Sequence, residues 1–211
     1  DKSANNLPHF YADFEFLIID DASTDKTVSI IKEYKDSRIQ LIEKTVNTGY
    51  TISLNYGLKV AKGEYIARMD GDDISLPNRF EKQIIYMNNH KNIDICGGHI
   101  EEMDENKKSI GVIRYPLSHD EMKCFFGKRN PLAHMSVIFR KSYFHKAGLY
   151  PVDTDKDEDT IFWLNGFLSG CKFANIDEVL VRVRVNKDFY LRRNGLSKSL
   201  SDLKNRCLVI R

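Results

Sequence analysis

Asp13-Phe14-Glu15-Phe16-Leu17-Ile18-Ile19-Asp20-Asp21-Ala22-Ser23-Thr24-Asp25-Lys26-Thr27 decides the class of fold. Phe14 to Ile19 is a short aromatic and β-branched run that stops abruptly in polar residues, the pattern of a buried parallel strand feeding a loop. Val28, Ile31 and Tyr34 then recur at helical spacing, and Asp25 stands where an N-terminal cap or first-turn acid is favoured. Ile39 to Ile42 reads as a second strand.

Outward from this unit the alternation continues. Leu54, Leu58 and Ala61 keep helical spacing from Gly49 onward, Lys62-Gly63 supplies a stop, and Tyr65 to Met69 reads as the next strand. Pro77 suits the first turn of a helix whose apolar stripe is Phe80, Ile84 and Met87, with Ile93 to Cys96 as the strand after it. Strands alternating with helices predict an α/β fold with a Rossmann-like, mostly parallel sheet flanked by helices.

After Gly97-Gly98 the grammar changes. Ile100 to Met103 and Ile110 to Tyr115 flank a polar stretch and predict antiparallel strands, the start of a smaller mixed lobe. Ser118 and Glu121 have capping-box spacing before Met122, Phe125 and Phe126. Ser136 to Arg140 predicts a returning strand, Asp157 to Leu168 a helix ending near Gly170, and Glu178 to Val185 the last strand. The expected organisation is 1–98 as one half, 99–195 as the second half of the same domain, and 196–211 as a charged helical tail.

Composition narrows the function classes. The 211 residues hold 32 basic and 30 acidic side chains, a near balance that argues against a protein built to coat nucleic acid. Cys96, Cys124, Cys171 and Cys207 are widely spaced, which suggests neither a zinc site nor a disulfide framework and makes a reducing cytoplasm the natural compartment. No apolar run approaches the roughly 20 residues of a membrane span, so any membrane contact is expected to be peripheral, at the inner face.

The chemistry is carried by acids at strand ends. In open α/β sheets ligands bind beyond the carboxyl ends of the strands, where Asp20-Asp21 and Asp70-Gly71-Asp72-Asp73 both fall. Three carboxylates within four residues repel one another unless a cation or proton neutralises them. Oxygen donors at this density suit Mg²⁺ or Mn²⁺, which leave positions open for substrate phosphates, whereas no glutamate follows at the spacing of a calcium-binding EF-hand. A third acidic stretch, Asp155 to Asp159, precedes Ile161, Phe162, Trp163 and Leu164. It reads either as first-turn acids complementing a helix dipole or as the source of a carboxylate that deprotonates an attacking hydroxyl. Trp163 reads as core before it reads as a sugar-stacking platform.

Residues 13 to 27, Asn47-x-Gly49, Asn55-x-Gly57, Ala61 to Asp73 and Glu158-Asp159 together resemble, in order, family 2 glycosyltransferases of the GT-A fold, over roughly residues 10 to 195. The resemblance implies that Asp20 and Asp21 contact the base and ribose of a nucleotide-sugar donor, with Ser23, Asn47, Gly49 and Arg68 in the same donor-binding set. It implies that Asp70 and Asp72 form the D-x-D motif beside the diphosphate and metal, Asp72 being the more direct ligand. Asp159 is implied as the base of an inverting displacement, with Glu158 as its neighbour. His134 stands where relatives carry a histidine by the active site. Arg184, Arg192 and Arg193 fall in a segment similar to the end of the catalytic region in bacterial polysaccharide-assembly members, where they would close over the diphosphate as Arg forks do. The implied partners are a UDP-sugar or similar donor and a sugar or lipid-linked saccharide acceptor.

Relatives begin with a strand ending in a Pro-x-Tyr-Asn-like segment. Nothing before Phe14 supplies it, and residues 1–13 read as the end of the helix that follows such a strand. Two other classes share parts of this pattern: a nucleotidyltransferase making sugar nucleotides, which should carry a Gly-rich phosphate loop, and a catalytically inactive module that binds nucleotide sugars.

Overall fold

The computed structural model describes residues 13–154 and 157–185. The strand expected from Phe14 runs as β1 (Phe16–Asp20), followed by α1 (Thr27–Glu33), β2 (Ile39–Glu43), α2 (Tyr50–Val60) and β3 (Tyr65–Ala67). A two-residue β4 (Ile74–Ser75) and α3 (Arg79–Asn89) lead into β5 (Ile95–Met103) and β6 (Ser109–Ile113). Then come α4 (His119–Phe126), a 3₁₀ turn (His134–Ser136), β7 (Ile138–Arg140), α5 (Tyr143–Ala147), α6 (Glu158–Leu168) and β8 (Phe173–Arg184). Among these residues no helix is long and apolar enough to cross a membrane.

The strands form two sheets. β1 and β2 pair in parallel, Phe16 opposite Ile39 and Asp20 opposite Glu43. The larger sheet has the order β3-β7-β5-β8-β4, with β6 added to β5. Its β5–β8 pair is parallel, whereas β3–β7, β5–β7, β4–β8 and β5–β6 are antiparallel. The α/β class with flanking helices is therefore present, and the sheet is mixed from its first half onward. Among the described residues, β1 has no neighbour on the side away from β2, and β3 none on the side away from β7. The apolar side chains of β1 are accordingly only half buried.

Two elements depart from the sequence pattern. β5 runs unbroken through Gly97-Gly98, where the change from alternating strands and helices to paired strands suggested a boundary. Here the strand needs glycine for close approach: a Cβ at Gly98 would collide with Leu180 on β8, and one at Gly97 would sit 2.7 Å from Leu132. In α3 the buried face is Arg79, Gln83 and Met87, while Phe80 and Ile84 are only half covered. α4 follows expectation, because Ser118 accepts from the Glu121 N–H while the Glu121 carboxylate accepts from the Ser118 N–H, a complete capping box.

The main core lies under the second half of the chain, where Phe126, Phe139, Tyr143, Phe162, Trp163 and Phe173 are buried against one another. Trp163 is fully buried there, so it packs the core and does not present a face to a sugar. The expected tail, 196–211, lies outside the described residues.

Candidate active site

Asp20 and Asp21 stand at the carboxyl end of β1. The Asp20 carboxylate is buried and accepts from the Ser23 N–H at 3.0 Å, closing the loop on itself. Between them and Ser23, Ala22 holds φ 62, a left-handed conformation rare for a residue with a side chain and one that tends to mark functional loops. Asp21 accepts from Lys44 Nζ and from the Thr48 N–H at 3.1 Å. Burial alone would raise its pKa, but the bonds from Lys44, Thr48 and Ser53 hold it down at about 2. Lys44 also reaches Ser53 Oγ at 2.9 Å, so the β2–α2 loop is tied to β1 through one ammonium. On that loop Asn47 Oδ1 accepts from the Gly49 N–H, which leads directly into α2.

The second acidic segment turns tightly, with the Asp73 N–H donating to the Asp70 carbonyl at 3.3 Å. Arg68 grips both oxygens of Asp70, Nη1 to Oδ2 at 2.7 Å and Nη2 to Oδ1 at 2.5 Å. Asp72 is exposed, whereas Asp73 is buried, takes the Arg184 N–H on Oδ1 at 3.1 Å and leaves Oδ2 without a partner. Burial, then the neighbouring Asp70 and Asp72 charges, push the Asp73 carboxyl up to about 7. Arg184 Nε also donates to the Asp72 carbonyl at 3.3 Å, which brings the end of β8 onto this turn. Arg192 and Arg193 lie outside the described residues.

These residues fit a hard divalent ion of a particular kind. Among the described residues no three His, Cys, Asp or Glu side chains converge to hold an ion unaided. An exposed Asp72, an orphaned Asp73 oxygen and a surplus of negative charge suit an ion held by one or two carboxylates and completed by water and a ligand's phosphates.

α6 presents Glu158 and Asp159 in its first turn. Glu158 is buried; Asp159 is half-buried. Asn130 Nδ2 donates to Asp159 Oδ2 at 3.0 Å, and the Thr160 N–H donates to Oδ1 at 2.7 Å, fixing the carboxylate's orientation from two sides. His134 is buried, with Nε2 bonded to the Tyr150 hydroxyl at 2.8 Å and its ring edge-on to Trp163. Burial, and then the Arg68 charge, drive its pKa well below the usual histidine value.

Tyr150 ties α2 to a distant loop. Its backbone N–H and C=O pair with the Asn55 carboxamide at 2.9 and 2.8 Å, so α2 grips a loop 95 residues away. Burial raises the Tyr150 hydroxyl far above its ordinary value, and Arg68, Asp159, Tyr50 and Asp70 all act on it electrostatically. Asp70 and Asp159, from two separate acidic segments, thus both influence this one buried hydroxyl. Sequence reasoning assigned no role to Lys44, Tyr50, Asn130 or Tyr150. Asn55 carried a signal, since an asparagine inside a helix competes with the helix's own bonds unless tertiary partners use it.

The glycosyl transferase family 2 model matches residues 2–148. The chain belongs to glycosyl transferase family 2. The amylovoran biosynthesis glycosyltransferase AmsE of Erwinia amylovora is 38% identical over 158 residues, covering 75% of this chain and 59% of its own length. The UDP-Gal:alpha-D-GlcNAc-diphosphoundecaprenol beta-1,3-galactosyltransferase of Escherichia coli is 30% identical over 194 residues, 90% of this chain and 70% of that protein. The chain thus spans roughly two thirds of the length of these relatives. Among solved structures, S. aureus TarS 1–349 in complex with UDP-GlcNAc superposes with TM-score 0.73 at 17% identity, covering 99% of this chain and 62% of that one. The mannosyltransferase PcManGT of Pyrobaculum calidifontis, in complex with GDP-Man and Mn²⁺, gives 0.68 at 14% identity, covering 99% and 69%. These likenesses establish the GT-A fold.

Proposed function

We propose that this family 2 member transfers a sugar from a nucleoside-diphosphate donor, a UDP-sugar in the first instance, to an acceptor hydroxyl with inversion, in bacterial cell-surface polysaccharide synthesis. The observation that carries the reading is that Arg68, Asp70 and Asp159 all act electrostatically on the one buried Tyr150 hydroxyl. A shared electrostatic neighbour supports reading the acidic turn and the candidate base as parts of one site.

In this reading the Asp20–Asp21 loop receives the nucleoside, and Asn47 and Gly49 shape the turn beside it. Asp72, with Asp70, would hold Mn²⁺ or Mg²⁺, and the ion would supply charge neutralisation for the departing diphosphate. Arg68 keeps Asp70 oriented, and Arg184 brings positive charge over the same turn. Asp159, held by Asn130 and Thr160, takes the proton from the acceptor hydroxyl as that oxygen attacks the anomeric carbon. Asp159 is the less buried of the two acids in this helical turn, which favours it over Glu158 for a substrate contact. The E. coli relative's acceptor is a lipid-linked saccharide, which supports one here and, with it, peripheral work at the inner face of the cell membrane.

Incubating the protein with a panel of UDP- and GDP-sugars and Mn²⁺ tests the reading. Release of nucleoside diphosphate is expected from the wild type. In Asp159→Asn, calorimetry should find donor binding intact while release is lost. Pyrophosphate exchange would point to a nucleotidyltransferase, and an absence of nucleotide binding to an inactive module.

A further inference from the structure

The inward face of α3 is polar where a packing helix is usually apolar. Arg79 and Gln83 are both fully buried, in line with Met87 at a spacing of four. A methionine or leucine at position 79 would fill the space without the cost of desolvating a guanidinium, so what Arg79 holds is informative.

Its Nη2 donates to the Arg68 carbonyl at 2.7 Å and to the Val137 carbonyl at 3.2 Å. Its Nε donates to Gln83 Oε1 at 3.1 Å, and Gln83 Nε2 donates to the carbonyls of Cys96 at 3.0 Å and Ser136 at 2.8 Å. Those four carbonyls sit where β3 ends, where β7 begins and at the start of β5. The Arg68 N–H bonds the Val137 carbonyl at 3.0 Å, so one guanidinium and one carboxamide tie all three strands together. Nothing in this network reaches a carboxylate oxygen, and Nη1 has no partner among the described residues. Burial, then the Arg68 charge, lower the Arg79 pKa to about 9, with Asp73 opposing them.

The position of the network gives it a consequence. Arg68 is held beneath by its carbonyl and, through its own guanidinium, holds Asp70 by both oxygens. The acidic turn begins two residues after the carbonyl that Arg79 fixes. We propose that Arg79, oriented by Gln83, is a positioning residue for the D-x-D turn: it anchors the Arg68 backbone so that Asp70 and Asp72 meet the donor diphosphate and its ion in one geometry. Arg79 touches neither donor nor metal. The inference rests on the donor reading of Asp70 and Asp72 given above.

The test is calorimetric titration of UDP and GDP, with and without Mn²⁺, into the wild type, Arg79→Met, Arg79→Lys and Gln83→Leu. Each is measured at a temperature where circular dichroism shows it folded. In Arg79→Met and Gln83→Leu the gain in nucleotide affinity on adding Mn²⁺ should fall about tenfold or more, the scale expected when a ligating group is displaced by a fraction of an ångström. Affinity without metal, which depends on the Asp20–Asp21 loop, should stay at the wild-type value. Arg79→Lys keeps the charge and one carbonyl bond and should recover part of the Mn²⁺ gain. A purely structural role would lower the melting temperature and leave the Mn²⁺ gain intact, and that result in a folded variant overturns the inference. If Arg79→Met does not fold, Arg79→Lys and Gln83→Leu decide by the same criterion. A wild type that binds nucleotide without any Mn²⁺ dependence would instead overturn the metal reading of Asp70 and Asp72, and this inference with it.

Discussion

Removing the carboxamide that orients Asp159 should slow transfer and leave donor binding alone. Asn130 approaches Asp159 from a loop 29 residues upstream and donates to Oδ2 at 3.0 Å, while its own Oδ1 accepts from Thr160 Oγ1 at 3.2 Å. A hydrogen bond to a charged acceptor contributes about 1.5–3 kcal/mol, and about 1.4 kcal/mol is tenfold in rate. If the hold is fully expressed in the transition state, Asn130→Ala should lower kcat about tenfold to a hundredfold. The surviving bond from the Thr160 N–H at 2.7 Å keeps the carboxylate at the site, which places the expected loss nearer the lower figure. Asp159→Asn is the reference: loss of a general base costs about 10²–10⁴ in rate, so Asn130→Ala should fall between it and the wild type. The assay is nucleoside-diphosphate release from the preferred donor, with donor affinity followed by calorimetry. Among the described residues the Asn130 side chain bonds Asp159 and Thr160 of α6, not the acidic turn or the Asp20 loop, so donor affinity should not change. A kcat equal to wild type, or a loss confined to donor KM, would refute the assignment of Asp159 and of its orientation by Asn130.

Three further outcomes follow from other parts of the molecule. Asp72→Asn should abolish Mn²⁺-dependent donor binding and match the effect of a chelator on the wild type; unchanged Mn²⁺-dependent affinity in calorimetry would remove Asp72 from the metal site. His134 is held neutral by burial, whereas in the unfolded chain it protonates near its ordinary value of about 6.5. Below that pH the unfolded state binds the extra proton, so stability is complete above about 6.5 and falls as pH drops, by up to about 1.4 kcal/mol per unit. Urea midpoints between about pH 7.5 and 5.5 should therefore decline more steeply for wild type than for His134→Gln, and equal slopes would contradict the burial argument. Gly166→Ala in α6 would drive a methyl into the Tyr143 hydroxyl, which is itself fixed on the Phe162 carbonyl at 3.1 Å. Overpacking of this kind costs about 1–3 kcal/mol, or ~2–4 °C of melting temperature per kcal/mol, and a calorimetric Tm at the wild-type value would show that the helix shifts freely.

The alternation of strands and helices was legible because each strand is a dense apolar run and each turn is marked by acids or glycine. Ser118 and Glu121 announced their helix because a capping box is local, complete within four residues. What escaped was set by distant partners. The nine-residue span of β5 depends on Asn175, Leu132 and Leu180 crowding Gly97 and Gly98, which no window around the glycines contains. The face of α3 was misjudged because apolar periodicity sends arginine to solvent, and the partners of the buried Arg79, the Arg68 and Val137 carbonyls and the Gln83 carboxamide, lie partly in distant segments. α5 is five residues long, too short for a period to show. The sheet was expected to be mostly parallel because βαβ alternation implies it, yet β7, expected as a returning strand, inserts antiparallel between β3 and β5, a pairing that its own residues do not specify.

The site shows the same division. Each acidic cluster could be named from the sequence, since three carboxylates in four residues are conspicuous and the order of motifs matches the family. Their surroundings could not, because these are set by pairs such as Asn55 with Tyr150 and Asn130 with Asp159, whose members stand far apart in the chain. The choice between Glu158 and Asp159 turns on this. Adjacent in sequence, they are chemically equivalent until the fold assigns them surroundings. Glu158 is 8% exposed and lies beside the Tyr50 hydroxyl, so its carboxylate is occupied within the protein. Asp159 is half-buried, with an amide from Asn130 on one oxygen and the Thr160 N–H on the other, an arrangement that fixes the carboxylate's orientation. A base must reach the hydroxyl it deprotonates, and the deeper burial of Glu158 is what favours Asp159 for the proposed role.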